Sequence, residues 1–315
     1  MSLYFSIIIF LLLCLAMFAY IVLAKKFNIL DIPNNRSSHT KPIIRGGGVI
    51  FPISILFYAL FFEFSHPYFL ISLILISVIS FLDDIYTISS KWRFLVQLIA
   101  AVLLIIELFN PLSFYCLLLI PVLVGILNGY NFMDGINGIT ASYSFVNLIT
   151  LFVINQNIGF IENDLLLVIL FSVVIFSFLN FRKKAICFAG DVGSVSMALI
   201  VLFLLFKLMI ATSNPVYILL LVVYGLDTGL TLFARLLRGE NILNAHREHM
   251  YQKMVDISRW SHVKVSLLYS AIQIGINFIV VYFISISEMK YFLSLLIIFV
   301  LYFSYTFVKN KIDKK

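Results

Sequence analysis

Residues 128–139 read NGYNFMDGINGI, a polar, glycine-bearing stretch set between two apolar runs, 112–127 and 139–154. Backbone this polar cannot face lipid, where each unsatisfied peptide group costs several kcal/mol. It therefore belongs at an aqueous surface or in a protein-lined cavity between two membrane helices. It offers the amides Asn128, Asn131 and Asn137, the carboxylate Asp134, and glycines 129, 135 and 138. Amides read the edges of polar ligands, and glycine lets backbone approach a ligand closely.

The rest of the chain repeats this pattern. Of 315 residues, 62% are hydrophobic and 12% charged, against about half and about a quarter in a soluble domain. The reading is an all-α, polytopic transmembrane bundle in one domain, 1–315, with no room for a separate soluble unit. Apolar runs at 3–24, 48–64, 68–82, 94–109, 112–127, 139–154, 165–181, 195–210, 216–237, 265–286 and 291–308 predict eleven spans. The first reads as a retained helix rather than a cleaved leader. Cys14, Cys116 and Cys187 lie in or beside apolar runs without metal-type spacing and read as buried thiols.

Of the 22 Lys and Arg, all but Lys207 and Lys290 fall on one side of this topology. The positive-inside rule makes that side cytoplasmic, with the N-terminus outside and the C-terminus inside. The outer loops carry few versatile groups, and His66 there reads as a lone interfacial histidine.

The polar islands lie on the basic side. Residues 31–50, DIPNNRSSHTKPIIRGGGVI, bring Arg36, His39, Lys41 and Arg45 to three glycines that open a helix, a ready anion site. Residues 82–94, LDDIYTISSKWRF, put Asp83 and Asp84 at the end of one helix and Lys91 and Arg93 at the start of the next. Residues 188–195, FAGDVGSV, set Asp191 between glycines after the basic run 182–184. Asp83, Asp84, Asp134 and Asp191 form a set of hard oxygen ligands that suits Mg²⁺ or Mn²⁺ better than zinc. In 235–253, RLLRGENILNAHREHMYQK, His246 and His249 share a face if helical; with Arg247 they fit a diphosphate clamp better than a zinc site. Asp227, inside the ninth span, is either a functional acid or a structural partner of a neighbouring helix.

Acids able to hold a divalent cation, beside cations and helix N-termini on one membrane face, describe phosphate chemistry. A lipid carrying a phosphate and a cytosolic nucleotide are the natural substrates. The competing reading is a transporter or flippase without chemistry. It predicts broken helices near the midplane and an internal repeat, whereas the polar islands cluster on one face.

In order, PNNRSSHTKPIIRGGG, DDIYTISSKWR, NGYNFMDGING, FAGDVGS and AHREHMYQ resemble the polyprenyl-phosphate N-acetylhexosamine-1-phosphate transferases, glycosyltransferase family 4, which includes the phospho-MurNAc-pentapeptide translocase. The resemblance implies transfer of a sugar 1-phosphate from a UDP-N-acetylhexosamine to undecaprenyl phosphate, with Mg²⁺ (Mn²⁺ as the alternative), at the bacterial inner membrane, without nucleic acid; a homodimer is one assembly state open to it. It implies Asp83 as base and Asp84 as support for the lipid phosphate or the metal. Asp191 would be the metal ligand, while Asn128, Asn131, Asp134 and Gly135 would line the nucleotide pocket. Phe188 would stack on uracil; His246, Arg247 and His249 would hold the diphosphate or sugar phosphate. Arg45, Lys91 and Arg93 would meet phosphate oxygens. Many members carry a second Asp where this chain has Asn137. HREHMYQ and RSSH with RGGG resemble the branch that starts O-antigen and related surface polysaccharides, using donors such as GlcNAc, FucNAc or QuiNAc.

Overall fold

A computed structural model describes residues 2–33, 41–109, 113–241 and 246–314. Arg36 and His39 of the first island lie outside these residues, as does the outer turn at 110–111. Helices dominate: α1 (Leu3–Lys26), α2 (Ile50–Phe61), α3 (Pro67–Tyr86), α4 (Ser90–Leu108), α5 (Ile120–Met133), α6 (Ile139–Ile158), α7 (Asn163–Asn180), α8 (Gly190–Thr212), α9 (Val222–Leu237), α10 (Met250–Asp256), α11 (His262–Ile279) and α12 (Lys290–Asp313). Two short strands, β1 (Leu30–Asp31) and β2 (Ile43–Ile44), pair antiparallel at the first island.

Among the described residues nine helices are long and apolar enough to cross a membrane. The other two expected spans also form helices, but each falls short for its own reason. Gly47–Phe61 is a short apolar helix. In α4, Lys91, Arg93, Gln97 and Glu107 interrupt the apolar run. The all-α, multi-pass reading holds.

Helix α8 is the axis of the bundle. Every residue from Val192 to Phe206 is buried, as expected of a helix apolar on all faces. It packs against α2, α3, α5 and α6, while α11 closes over α6. At the periphery α12 buries little besides Ile312, and its Phe292, Leu295, Phe299 and Phe303 face outward. In a bilayer those side chains meet acyl chains rather than water.

Candidate active site

Three carboxylates and two guanidiniums converge where the end of α3 meets the start of α8. The Arg93 guanidinium bridges Asp83 (Nη1–Oδ2, 2.6 Å) and Asp191 (Nη2–Oδ2, 3.3 Å). Arg45 bridges the remaining pair, Asp84 (Nε–Oδ1, 2.7 Å) and Asp191 (Nη2–Oδ1, 3.5 Å). Asp83 also accepts the Ile88 N–H at 2.6 Å, which fixes the turn out of α3.

Helix α8 begins without a side-chain cap of its own, since its N-cap residue is Ala189. Asp84 supplies one from another helix: its two oxygens accept the N–H groups of Asp191 (2.9 Å) and Val192 (3.1 Å). The first amides of a helix need such acceptors, and a carboxylate there also meets the positive end of the helix dipole. Adjacent acids point about 100° apart on a helix, so Asp83 turns to Arg93 while Asp84 turns to α8.

The glycine loop is fastened to the same helix start by backbone. Gly47 and Gly48 donate to the carbonyls of Phe188 (2.8 Å) and Ala189 (3.0 Å), and Phe188 donates to that of Ile44 (2.8 Å). Gly48 and Gly193 meet backbone to backbone: a Cβ on Gly193 would lie 2.7 Å from the Gly48 Cα. Gly190 has φ +72° with Asp84 and the Gly46 amide against it, so no side chain fits there. Tyr20 of α1 holds the loop from the other side, donating to the Arg45 carbonyl at 2.5 Å.

The opening island ends α5 and turns into α6. Asn131 accepts from Ser194 of α8 (2.7 Å), which ties the island to the acid cluster. Asp134 accepts from Thr140 (2.5 Å). Burial pushes the Asp134 carboxyl up to about 6; the Thr140 hydrogen bond opposes this, and nearby Asp191 adds to it. Asn128 pairs with Gln97 of α4 (2.8 Å). Asn137, 6% exposed, donates its side-chain N–H to the carbonyls of Arg182 (3.0 Å) and Lys183 (3.3 Å). An aspartate cannot donate, so the amide at this position fits its surroundings here.

The last loop packs on this island. The His246 and His249 rings lie 4.8 Å apart, each 6.1 Å from the Phe132 ring. Tyr251 donates to the Phe132 carbonyl (2.8 Å) and stands over Gly135. Burial, then His249 and Arg235 nearby, hold the His246 imidazole down to about 4, and its Nδ1 is buried without a hydrogen-bond partner. Asp227 resolves to the structural alternative. It accepts from the Met250 and Tyr251 amides (2.8 and 3.3 Å) and from the Tyr269 and Tyr305 hydroxyls (2.6 and 3.1 Å), and so caps α10.

Of the residues singled out from sequence, Arg45, Asp83, Asp84, Arg93 and Asp191 form one cluster. Asn131 connects to it through Ser194. Phe188 contributes backbone to the glycine strap. Lys91 is exposed on the first turn of α4. Arg247 faces Asp256 (3.0 Å) beyond the histidine pair. Sequence reading passed over Asn180, which accepts from the Gly138 amide (2.7 Å) and donates to the Cys187 carbonyl (2.9 Å), joining two islands. It also passed over Gln97 and Thr140. An asparagine closing an apolar helix just before a basic run was the available signal for Asn180.

Among the described residues no group of three or more His, Cys, Asp or Glu is arranged to hold a metal alone. Mg²⁺ does not require one, because it commonly binds one or two carboxylates plus substrate phosphates and keeps several waters. Asp191 fits that role. Its side chain is 17% exposed and its guanidinium contacts are long, whereas both Asp84 oxygens are taken up by amides.

Residues 66–211 match the family model described as Glycosyl transferase family 4. That segment carries Asp83, Asp84, Arg93, Asn131, Asp134 and Asp191. The chain is 28% identical over 303 residues to a probable undecaprenyl-phosphate N-acetylglucosaminyl 1-phosphate transferase of Bacillus subtilis, covering 89% of this chain and 83% of that protein. It is 32% identical over 128 residues to an undecaprenyl-phosphate alpha-N-acetylglucosaminyl 1-phosphate transferase of Thermotoga maritima, covering 39% of this chain and 42% of that protein.

Proposed function

We propose, from the match of residues 66–211 to glycosyl transferase family 4 and the likeness to two transferases, that the chain is a member of that family and transfers an N-acetylhexosamine 1-phosphate from a UDP-sugar to undecaprenyl phosphate, releasing UMP. The observation that carries this reading is the convergence of Arg45, Arg93, Asp83, Asp84 and Asp191 where α3 meets α8 at the end of the bundle. A membrane-bound phosphate can reach such a site from the lipid side and a nucleotide from the water. Both relatives are named for N-acetylglucosamine, which makes UDP-GlcNAc the first donor to try. The 6-deoxy donors FucNAc and QuiNAc follow from the AHREHMYQ loop. Initiation of a surface polysaccharide of O-antigen type, at a cytoplasm-facing site in the inner membrane, completes the proposal; the one-sided distribution of Lys and Arg supports the orientation.

In the reaction a lipid phosphate oxygen attacks the sugar-bearing phosphorus of the donor. The bond from that phosphorus to the bridging diphosphate oxygen breaks, and UMP leaves with that oxygen. Arg93 and Arg45, now spread over three carboxylates, turn to the phosphates as these arrive. That exchange frees an Asp83 oxygen to take a proton from the lipid phosphate. Asp84 keeps the start of α8 and Arg45 in place. His246, held neutral by its burial, and His249, both beside Phe132, hold the sugar phosphate, while Asn131, Asp134 and Gly135 with Phe188 receive the nucleoside. A divalent cation held by Asp191 supplies charge neutralisation on the phosphoryl oxygens. Purified protein with undecaprenyl phosphate and Mg²⁺ should release UMP from one member of a UDP-N-acetylhexosamine panel. Lipid-independent UMP, or none from any donor with folded protein, would refute the assignment.

A further inference from the structure

The end of the bundle remote from the acid cluster also carries charge, and the reaction does not use it. Helices α3 and α8 run together, with Phe69 stacked on Phe203 at 4.0 Å. Each bears reaction groups at one end. At the other end stand His66, the residue before α3, and Lys207, near the close of α8. At about 1.5 Å per residue, His66 lies roughly 25 Å from Asp83, and Lys207 about as far from Asp191. Both line one pocket of about 410 Å³, together with Ser65, Phe160 and Glu162.

His66 is not the lone interfacial histidine its sequence context implies. Its side chain is 9% exposed, and its Nδ1 lies 2.9 Å from Glu107. Glu107 is committed to structure, since it also accepts the Tyr68 and Phe69 amides (3.0 and 3.4 Å) that open α3. With Nδ1 directed to Glu107, His66 turns its Nε2 edge toward Glu162, 3.9 Å away. Glu162 is 46% exposed and reaches the mouth of the pocket. Lys207 is the one charged residue of α8 beyond Asp191, is half-buried, and makes no ion pair among the described residues. An ionisable group inside an apolar span is costly and marks a functional site by default.

The pocket thus has the Lys207 ammonium on one wall and the Glu162 carboxylate, with the His66 ring beside it, on another. A simple anion would face Glu162, and a simple cation would face Lys207. A ligand bearing both signs satisfies both. At this depth, at the membrane edge opposite the acid cluster, the abundant ligand of that kind is a phospholipid headgroup. We propose that the pocket binds the headgroup of an amine-bearing zwitterionic phospholipid of that leaflet. Lys207 takes the phosphate; the Glu162 carboxylate accepts from the primary ammonium, with the His66 ring lining the same wall.

The test is native mass spectrometry of the full-length protein in detergent, with phosphatidylethanolamine, phosphatidylcholine or phosphatidylglycerol of matched acyl chains. Wild type should retain phosphatidylethanolamine about tenfold better than the other two. Glu162→Gln should bring it down to the level of phosphatidylcholine. Lys207→Met should weaken all three, and Lys207→Arg should restore retention. Should Lys207→Met fail to fold, Glu162→Gln, on a half-exposed side chain, still decides the matter. Equal retention of the three lipids by wild type, or unchanged retention in Glu162→Gln, overturns the proposal. If soluble phosphoethanolamine binds while no lipid is preferred, the pocket belongs to a free zwitterion and the lipid assignment falls.

Discussion

Gly193→Ala offers the sharpest test of how the acid–arginine cluster is held. The new methyl would sit 2.7 Å from the Gly48 Cα and 2.8 Å from the Ala189 Cβ, where ordinary contacts begin at 3.4 Å. Both obstacles are attached to backbone, so a rotamer change cannot relieve them. The glycine loop and α8 must part by roughly 1 Å, at an overpacking cost of about 1–3 kcal/mol. Gly48 is three residues from Arg45, whose Nε–Asp84 contact is 2.7 Å. A shift of that size takes the contact beyond hydrogen-bond range, and a misplacement of about 1 Å costs roughly 10²-fold in rate. The assay is UMP release beside the thermal unfolding midpoint. The control is Gly229→Ala, where nothing lies within 4 Å of the new methyl, so both readouts should stay near wild type. If Gly193→Ala keeps more than about half the wild-type rate, the reasoning from close backbone approach to a fixed Arg45 is refuted, because even a tenth of a 1 Å penalty would show.

Asn137→Asp replaces a donor to two carbonyls with a buried acceptor and should cost about 1–3 kcal/mol, read as a lowered unfolding midpoint; an unchanged midpoint would mean that the amide's two bonds carry no weight. The Asp134 carboxyl, raised to about 6, should give UMP release an acid limb near that pH, and Asp134→Asn should lose the limb. Because the folded value lies above the unfolded one, this group favours folding below the unfolded pKa and loses that contribution as pH rises through about 6. The acid limb therefore reports ionisation at the site, and an unfolding transition coincident with it would contradict this. Chelation should abolish turnover and Mg²⁺ restore it, with Asp191→Asn raising the half-saturating Mg²⁺ concentration by at least roughly tenfold; an unchanged Mg²⁺ dependence in that variant would remove Asp191 from the metal.

The class of fold was legible because lipid imposes it: a chain 62% apolar that must satisfy its backbone in hydrocarbon has helices as its solution. The acids and arginines at helix ends were legible too, since charge inside an apolar run is costly and stands out against it. Sequence reading extended the span pattern through α4, yet its Lys91, Arg93, Gln97 and Glu107 turn to Asp83, Asn128 and His66 or lie exposed. Periodicity reports apolar faces and says little about which polar groups find one another across helices.

Pairing was left to tertiary structure. Asp83 and Asp84 are chemically identical neighbours in sequence, but helix geometry turns one to Arg93 and the other to the amides of α8. Asp227 looked equally apt for catalysis and for structure until α10 and two tyrosine hydroxyls closed on it. His66 read as solitary because its partner Glu107 lies 41 residues away at the far end of α4. The sequence by itself determined which residues carry charge and at which membrane edge, because solvation acts on each residue where it stands. The partner of each charge was decided by the packing of α3, α4 and α8, because ion pairs and caps depend on ångström separations between segments distant along the chain.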